Sequence, residues 1–193
     1  MTSGYYGVQI ETQDFLRLVE DTGKLAFFDI ESTGFHGDYN SVLCVSILPY
    51  GGKPYSYSVV QPGNDQRVVR EVKEALESYQ CIAGFYSKGF DLRMLNTRLL
   101  KWKQTPIKPL HHIDMYYSLK YKLNTSRKSQ AHFANWLKVD EQKMSVSADV
   151  WSEIIAEPSK HMPKMIERCE SDVCSLRDIY DKTKHLIGDI RRG

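Results

Sequence analysis

The chain has 193 residues, 41% of them hydrophobic and 26% charged, with a formal net charge of +2. This composition is typical of one globular domain and excludes a chain that is disordered throughout. The apolar runs are too short to span a bilayer and the first residues lack the features of a signal sequence, so we expect a cytoplasmic protein with no membrane partner. The four cysteines form no C-x-x-C pair and lack the spacing of a zinc site. We therefore expect them to be reduced thiols.

In chain order, the hydrophobic pattern first predicts a helix over residues 11–20 and a buried strand over residues 25–31. Strands over 42–48 and 55–60 follow, and Gly51 and Gly52 between them indicate a hairpin. The next predicted elements are a helix over 65–79, a strand over 81–85, a helix over 91–102 and a strand over 110–113.

The last part of the chain is predicted to be helical, over residues 115–123, 129–137, 148–155 and 163–187. Helical spacing places Trp102, Trp136 and Trp151 on apolar faces, so we expect all three side chains in the core. The order of all these elements indicates an α/β fold, in which helices flank a mixed central sheet. We expect a single domain over residues 1–193, because this length suits one hydrophobic core.

The first predicted strand ends in two acidic residues, Asp29 and Glu31, with Ile30 between them. Alternate residues of a strand point to the same face, so the two carboxylates lie about 6–7 Å apart along the chain. Such a pair is unfavourable unless a cation lies between the acids, and Mg²⁺ prefers oxygen ligands. The local sequence is equally consistent with two ordinary acids at a solvated strand end.

Two further acidic residues occupy unusual positions. Asp91 begins a predicted helix directly after a buried strand, where it is either the N-cap or a metal ligand. Asp172 lies within the apolar stripe of the last helix, so it needs a partner, and Arg168 one turn earlier would provide one. Asp114, at the end of the last predicted strand, is expected to be an N-cap.

Basic residues are concentrated between residues 86 and 128. This segment holds ten Lys and Arg residues against two acids, a local net charge of +8, which leaves −6 for the rest of the chain. Such a block fits a surface that binds a polyanion. The alternative is that these side chains lie on solvated helix faces.

Three segments resemble the motifs of the DnaQ-like 3′–5′ exonucleases, the DEDD superfamily, which have the RNase H-like fold. Residues 28–34, FDIESTG, resemble the first motif, residues 89–92, GFDL, the second, and residues 169–173, CESDV, the third. The segments stand in the family's order and spacing over residues 25–187. The resemblance implies an RNase H-like domain whose first three strands are antiparallel within a mixed sheet.

The resemblance also implies that four carboxylates hold two Mg²⁺ or Mn²⁺ ions, those of Asp29, Glu31, Asp91 and Asp172. Two such ions would hydrolyse the terminal phosphodiester bond at the 3′ end of single-stranded DNA or RNA. Phe35 would either stack on the terminal base or cap the edge of the sheet. We expect the substrate to contact Thr33, Gly34, Phe35, Lys88, Phe90 and Arg168.

The third motif departs from the family pattern, which places a Tyr four residues or a His five residues before the last Asp. Arg168 and Glu167 occupy these positions here, and an arginine cannot accept a proton. His36 is either a substitute base or a surface residue. The sequence therefore allows a 3′–5′ exonuclease with Arg168 in its catalytic site, or a catalytically weakened nucleic-acid-binding module of a replication or processing assembly. An endonuclease is a third option, and no particular protein partner is indicated.

Overall fold

The computed structural model describes residues 10–139, 153, 156–188 and 190. Most of the helix predicted over 148–155, including Trp151, therefore lies outside the described residues. The helices are α1 (Thr12–Asp21), α2 (Gln66–Leu76), α3 (Asp91–Lys101), α4 (Met115–Lys120), α5 (Gln130–Leu137) and α6 (Pro158–Thr183), and a 3-10 turn follows at Lys184–Leu186. The strands are β1 (Leu25–Ser32), β2 (Val42–Pro49), β3 (Tyr55–Ser58), β4 (Cys81–Gly84) and β5 (His111–Asp114). None of the helices in these residues has a stretch long and apolar enough to cross a bilayer.

One five-stranded sheet, in the order β3-β2-β1-β4-β5, organises the described residues. Strand β2 pairs antiparallel with both β1 and β3, whereas β4 pairs parallel with β1 and β5 pairs parallel with β4. The predicted mixed sheet with antiparallel first strands is therefore confirmed. In the β1–β2 register, Asp29 lies opposite Ser46 and Glu31 lies opposite Cys44.

Helices cover both faces of the sheet, because β1 is apolar on both sides before its acidic end. Ala26 and Phe28 are buried in a core that includes residues of α2 and α3. Leu25 and Phe27 belong to a second core with residues of α1, α5 and α6. Asp29 and Glu31 continue the alternation of Leu25 and Phe27, so their side chains point to the side of the sheet on which α6 lies.

The carboxyl ends of the parallel strands β1, β4 and β5 lie at one edge of the sheet, and their amino ends lie at the other. Strand β4 pairs with β1 only as far as Phe27 and ends at Gly84, so the acidic end of β1 extends beyond it. At Gly84 an added Cβ would lie 2.3 Å from the Ser87 hydroxyl oxygen, which excludes a side chain there. The chain therefore turns sharply away from the sheet beside the end of β1.

Candidate metal centre

Three carboxylates meet where α6 packs against β1. Asp29 and Glu31 of β1 and Asp172 of α6 each offer an oxygen atom, and these atoms all lie within 4.8 Å of one another. Asp29 is half-buried, whereas Glu31 and Asp172 are buried. Clustered carboxylate oxygens are the hard ligands that Mg²⁺ and Mn²⁺ take, so the residues present fit such an ion.

The guanidinium group of Arg168 lies within the same cluster. Its Nε donates a hydrogen bond to Glu31 Oε1 at 2.6 Å, and its Nη2 lies 3.7 Å from Asp172 Oδ2. Burial opposes the charge, but the carboxylates of Glu31, Asp172 and Asp29 outweigh it and raise the pKa of Arg168. The prediction that this side chain approaches the acids from the helix face of Asp172 is confirmed.

Cys169, next to Arg168 on α6, fixes the position of the helix on β1. Its thiol donates to the backbone carbonyl oxygen of Asp29 at 3.4 Å and lies 3.8 Å from Asp29 Oδ2. Burial raises the pKa of the Cys169 thiol well above its ordinary value, so the group stays neutral and adds no charge to the cluster. We expected Cys169 only to be a reduced thiol, although it lies inside the third motif.

Asp91 adjoins this cluster but is not a member of the group within 4.8 Å. It is the first residue of α3, whose N-cap is Phe90, and its Oδ1 accepts a hydrogen bond from the Ile30 amide at 3.2 Å. Burial raises the pKa of Asp91 to about 7, and the charges of Asp114 and Glu31 add to this shift. Asp91 therefore supports the backbone between Asp29 and Glu31, and its role as a metal ligand stays a prediction.

Four of the residues expected to contact substrate line one cavity beside Glu31. This cavity, of about 360 Å³, is bordered by Thr33, Gly34, Phe35 and Phe90. The Phe35 side chain is 84% exposed, and its ring centroid lies 6.1 Å from that of Phe90 at an interplanar angle of 64°. An aromatic pair thus forms one wall of the cavity, with the carboxylate cluster beside it.

The loop that carries Phe35 is held in place by short polar contacts. Thr33 Oγ1 accepts a hydrogen bond from the Ser41 amide at 3.0 Å. A Cβ added at Gly34 would lie 2.6 Å from Asn40 Oδ1, so any larger residue would displace the Asn40 side chain. His36, considered above as a substitute base, is exposed, and its carbonyl oxygen accepts a hydrogen bond from the Asn40 amide.

A buried ion pair that the sequence did not reveal anchors the far end of this loop. Arg98 of α3 and Asp65, which precedes α2, make two hydrogen bonds of 2.8 Å and are both buried. Arg98 also donates to the Gly37 carbonyl oxygen at 3.1 Å, and Asp65 accepts from the Val42 amide at 2.9 Å. Arg98 lies between Leu95 and Leu99, and a charge within an apolar stripe is the pattern that could have pointed to it.

Lys88, the remaining predicted substrate contact, lies outside the cavity beside Glu31. Its exposed side chain is on the loop between β4 and α3, and its amide donates to Asp114 Oδ2 at 2.9 Å. Asp114 Oδ1 also accepts from the amides of Tyr86 and Tyr116, at 3.0 and 3.1 Å. Asp114 is thus the expected N-cap of α4 and in addition fixes the loop that leads to Asp91.

A sheet of this order, with an acidic cluster between β1 and α6, is typical of the RNase H-like fold. The model of the RNase H superfamily matches residues 26–184. The chain therefore belongs to the RNase H superfamily. A comparison with curated protein sequences gives no significant match.

Many solved structures are similar to this chain, and two of them show the extent of the likeness. The family B DNA polymerase from the hyperthermophilic archaeon Pyrobaculum calidifontis aligns with 83% of this chain at 17% identity and a TM-score of 0.67. The chain spans about a quarter of that polymerase, 24% of its length. A structure described as the apo form of a nuclease aligns with 86% of this chain and 75% of its own, at 19% identity and a TM-score of 0.60.

Proposed function

We propose that this chain is a metal-dependent 3′–5′ exonuclease that removes nucleotides from single-stranded 3′ ends. The observation that carries the proposal is the group formed by Asp29, Glu31 and Asp172, whose ligand atoms lie within 4.8 Å of one another. Membership of the RNase H superfamily supports nucleic acid as the substrate. The three motifs, in the order of the DnaQ-like exonucleases, support cleavage at a 3′ end.

The residues of the site have different proposed roles. Asp29, Glu31 and Asp172 would hold Mg²⁺ or Mn²⁺, and Asp91 would support the backbone between the first two or supply a further ligand. When bound, the metal supplies an activated water and stabilises the oxygen that leaves the phosphodiester. Arg168 holds a phosphate oxygen of the substrate by hydrogen bonds, since a guanidinium donates but cannot accept a proton.

The cavity beside Glu31 suits the terminal nucleotide. Its volume of about 360 Å³ lies within the range of small-ligand pockets, and Phe35 offers a ring on which a base can stack. A base that stacks on a side chain must first leave its own helix. The proposed substrate is therefore an unpaired 3′ end, of either DNA or RNA.

The formal charge of the site indicates how many divalent ions it binds with and without substrate. Three carboxylates and one guanidinium give the cluster a formal charge of −2, which one divalent cation balances. A second cation needs two further negative charges, which the scissile phosphate and the carboxylate of Asp91 together would supply. We therefore infer that the site takes up one ion by itself and reaches two only with a nucleotide bound.

The test is cleavage of a 5′-labelled linear strand and of a circular single strand, with Mg²⁺ or Mn²⁺. The proposal requires a ladder that starts at the 3′ end, and loss of more than about 10²-fold in rate for Asp29→Asn and Asp172→Asn. Asp178→Asn, on the same helix but paired with Arg177, is the matched control and should cleave normally. Cutting of circles would indicate an endonuclease instead.

Both site variants should remain folded. Each removes one of several like charges, so we expect an unchanged or higher melting temperature in EDTA. Unaltered cleavage by either variant would contradict the carboxylate assignment, since a folded protein without its ligand set should be inactive.

The second candidate is a nucleic-acid-binding module with weak catalysis, which the contact between Arg168 and Glu31 favours. If Arg168 replaces a lost base, Arg168→Tyr should accelerate cleavage by about 10²-fold, in the range that a positioned base contributes. If the wild-type chain binds single strands but does not cleave them with either metal, the binding module is the correct function.

We also propose a single domain and a cytoplasmic location. One sheet collects the described strands, and the thiols of Cys44, Cys81 and Cys169 are buried, which suits a reducing compartment.

A further inference from the structure

Four tyrosines form an aromatic surface at the carboxyl edge of β4 and β5, here called the tyrosine cluster: Tyr86, Tyr116, Tyr117 and Tyr121. The ring centroid of Tyr86 lies 5.1 Å from that of Tyr116 and 6.0 Å from that of Tyr117. Tyr86 is 45% exposed and Tyr121 is 74% exposed. Tyr116 and Tyr117 are half-buried between them. Clustered aromatic side chains that remain partly exposed are typical of a binding surface.

Lysine side chains surround these rings. Lys120 Nζ lies 5.3 Å from the ring centroid of Tyr116 and 5.4 Å from that of Tyr121. Lys88 and Lys122 border a depression of about 260 Å³ whose wall includes Tyr117 and Tyr121. The three lysines are exposed, so their charges are available to a ligand.

The acidic group at the bottom of this depression does not oppose an anion strongly. Among the described residues that border the depression, the one acid is Asp114, which is buried. Its carboxylate accepts hydrogen bonds from the amides of Tyr86, Lys88 and Tyr116. Aromatic faces with cations beside them, and a compensated acid below, suit a ligand that carries both bases and phosphates.

The tyrosine cluster is continuous with the proposed active site. A further cavity, of about 460 Å³, is bordered by Phe35, Phe90, Tyr86 and Arg93. Phe35 and Phe90 also border the cavity beside Glu31, so the two cavities share a wall. A path of rings and cations therefore runs from the carboxylate cluster across Tyr86 to the other tyrosines.

The basic segment 86–128 is divided by the fold. Helix α3 begins at Asp91 at the carboxyl edge of the sheet and ends at Lys101, about 15 Å away at 1.5 Å per residue. Lys108 precedes β5 at the amino edge, where its amide donates to Glu77 Oε1 at 2.8 Å. Lys101, Lys103 and Lys108 thus lie away from the tyrosine cluster, although they are close to it in sequence.

We propose that the tyrosine cluster, with Lys88, Lys120 and Lys122, binds the part of a single strand that lies 5′ of the terminal nucleotide. The rings stack on bases without sequence preference and the lysines contact phosphates, which requires unpaired bases. The direction of the bound strand, with its 3′ end at the carboxylates, rests on the proposed function. The binding of single strands by this surface is independent of that function.

The test is fluorescence anisotropy of a labelled single-stranded 15-mer in EDTA, so that neither cleavage nor metal is involved. Tyr117→Ala/Tyr121→Ala should raise Kd at least tenfold, because each base loses its stacking partner. Tyr117→Phe/Tyr121→Phe keeps the rings and should bind within about twofold of the wild type. Equal binding by the alanine and wild-type chains would overturn the inference.

Two triple lysine variants, each of which removes three positive charges, distinguish binding at the tyrosine cluster from general electrostatic attraction of the nucleic acid. Lys88→Ala/Lys120→Ala/Lys122→Ala should weaken binding and reduce the slope of log K against log salt by about 2. Lys101→Ala/Lys103→Ala/Lys108→Ala should leave Kd and the salt slope equal to those of the wild type within experimental error. Equal effects of the two triple variants would overturn the inference, as would tighter binding of a duplex 15-mer than of the single strand.

Cleavage kinetics distinguish failure of this inference from failure of the proposed function. The tyrosine variant should have a higher KM for a 15-mer, yet an unchanged kcat/KM for a dinucleotide that does not reach the cluster. If the wild type cleaves and the tyrosine and lysine variants bind as the wild type does, the proposed binding surface is refuted and the exonuclease is not. Binding without cleavage by the wild type would refute the exonuclease and leave the surface intact.

Discussion

Arg168 Nε donates to Glu31 Oε1 at 2.6 Å, so a side chain of α6 supplies a cation within the carboxylate cluster of β1. Both side chains are largely buried, with 13% and 8% exposed. A positive charge in this place stabilises the acids when no metal is bound. The same charge opposes the approach of a metal cation.

Arg168→Gln is therefore expected to have two opposite effects. The free energy of unfolding in EDTA should fall by about 3 kcal/mol, because the substitution leaves buried acids without their counter-charge. The affinity for Mn²⁺ should rise at least tenfold, since two like charges about 4 Å apart repel by several kcal/mol at a protein surface. Urea unfolding and titration calorimetry measure the two quantities.

Arg177→Gln is the control for this prediction, because Arg177 lies on the same helix and pairs with Asp178. It should change neither quantity appreciably. An unaltered Mn²⁺ affinity in Arg168→Gln would show that the guanidinium moves away when the metal binds.

The ion pair of Asp65 and Arg98 is expected to be important for stability. Arg98→Met leaves a buried carboxylate without its cation and should lower the free energy of unfolding by about 3–5 kcal/mol. Asp65→Asn/Arg98→Met should recover part of this loss, because no unpaired charge remains buried. The recovery is incomplete, since the Val42 amide and the Trp102 indole N–H donate to different oxygens of Asp65 and an asparagine has one acceptor oxygen. Urea unfolding of the two variants provides the comparison, and an equal loss in both would contradict the explanation by unpaired charge.

His112 should make the protein sensitive to acid. Burial, with the charge of Lys88, lowers the pKa of His112 to about 3, and its Nε2 lies 2.9 Å from the Ser87 hydroxyl oxygen. The unfolded chain binds a proton below a pH of about 6.5, whereas the folded chain does so only near pH 3. Stability is therefore fully present above pH 6.5 and falls, by about 1.4 kcal/mol per pH unit from this group, as the pH decreases towards 3.

His112→Phe removes this titration. Between pH 6.5 and 4.5 its free energy of unfolding should fall by about 2–3 kcal/mol less than that of the wild type. Parallel curves for the wild type and His112→Phe in urea unfolding at several pH values would refute the assignment.

The sequence predicts features that depend on local periodicity. The alternation of a strand places Asp29 and Glu31 on one face, and the turn of a helix places Arg168 beside Asp172. These relationships need no knowledge of the rest of the fold. The order of the elements likewise predicts the mixed sheet.

Relationships that depend on tertiary packing were not predictable in this way. The contact between Asp91 and the Ile30 amide arises because β4 ends early, and the pattern of apolar residues does not reveal where a partner strand stops. The prediction that Trp136 lies in the core is wrong, since its side chain is 52% exposed. An apolar helix face indicates a partner only if another element covers it, and the far end of α5 is not covered among the described residues.

The position of α6 late in the chain has a consequence for biosynthesis. Arg168 is 137 residues from Glu31, and Cys169 is 140 residues from the Asp29 carbonyl oxygen that it contacts. Contacts across such separations require closure of a very long loop and form slowly. During translation, the sheet can be complete on the ribosome while the carboxylate cluster still lacks Asp172. We therefore expect a nascent chain to lack the proposed activity until α6 has emerged from the ribosome.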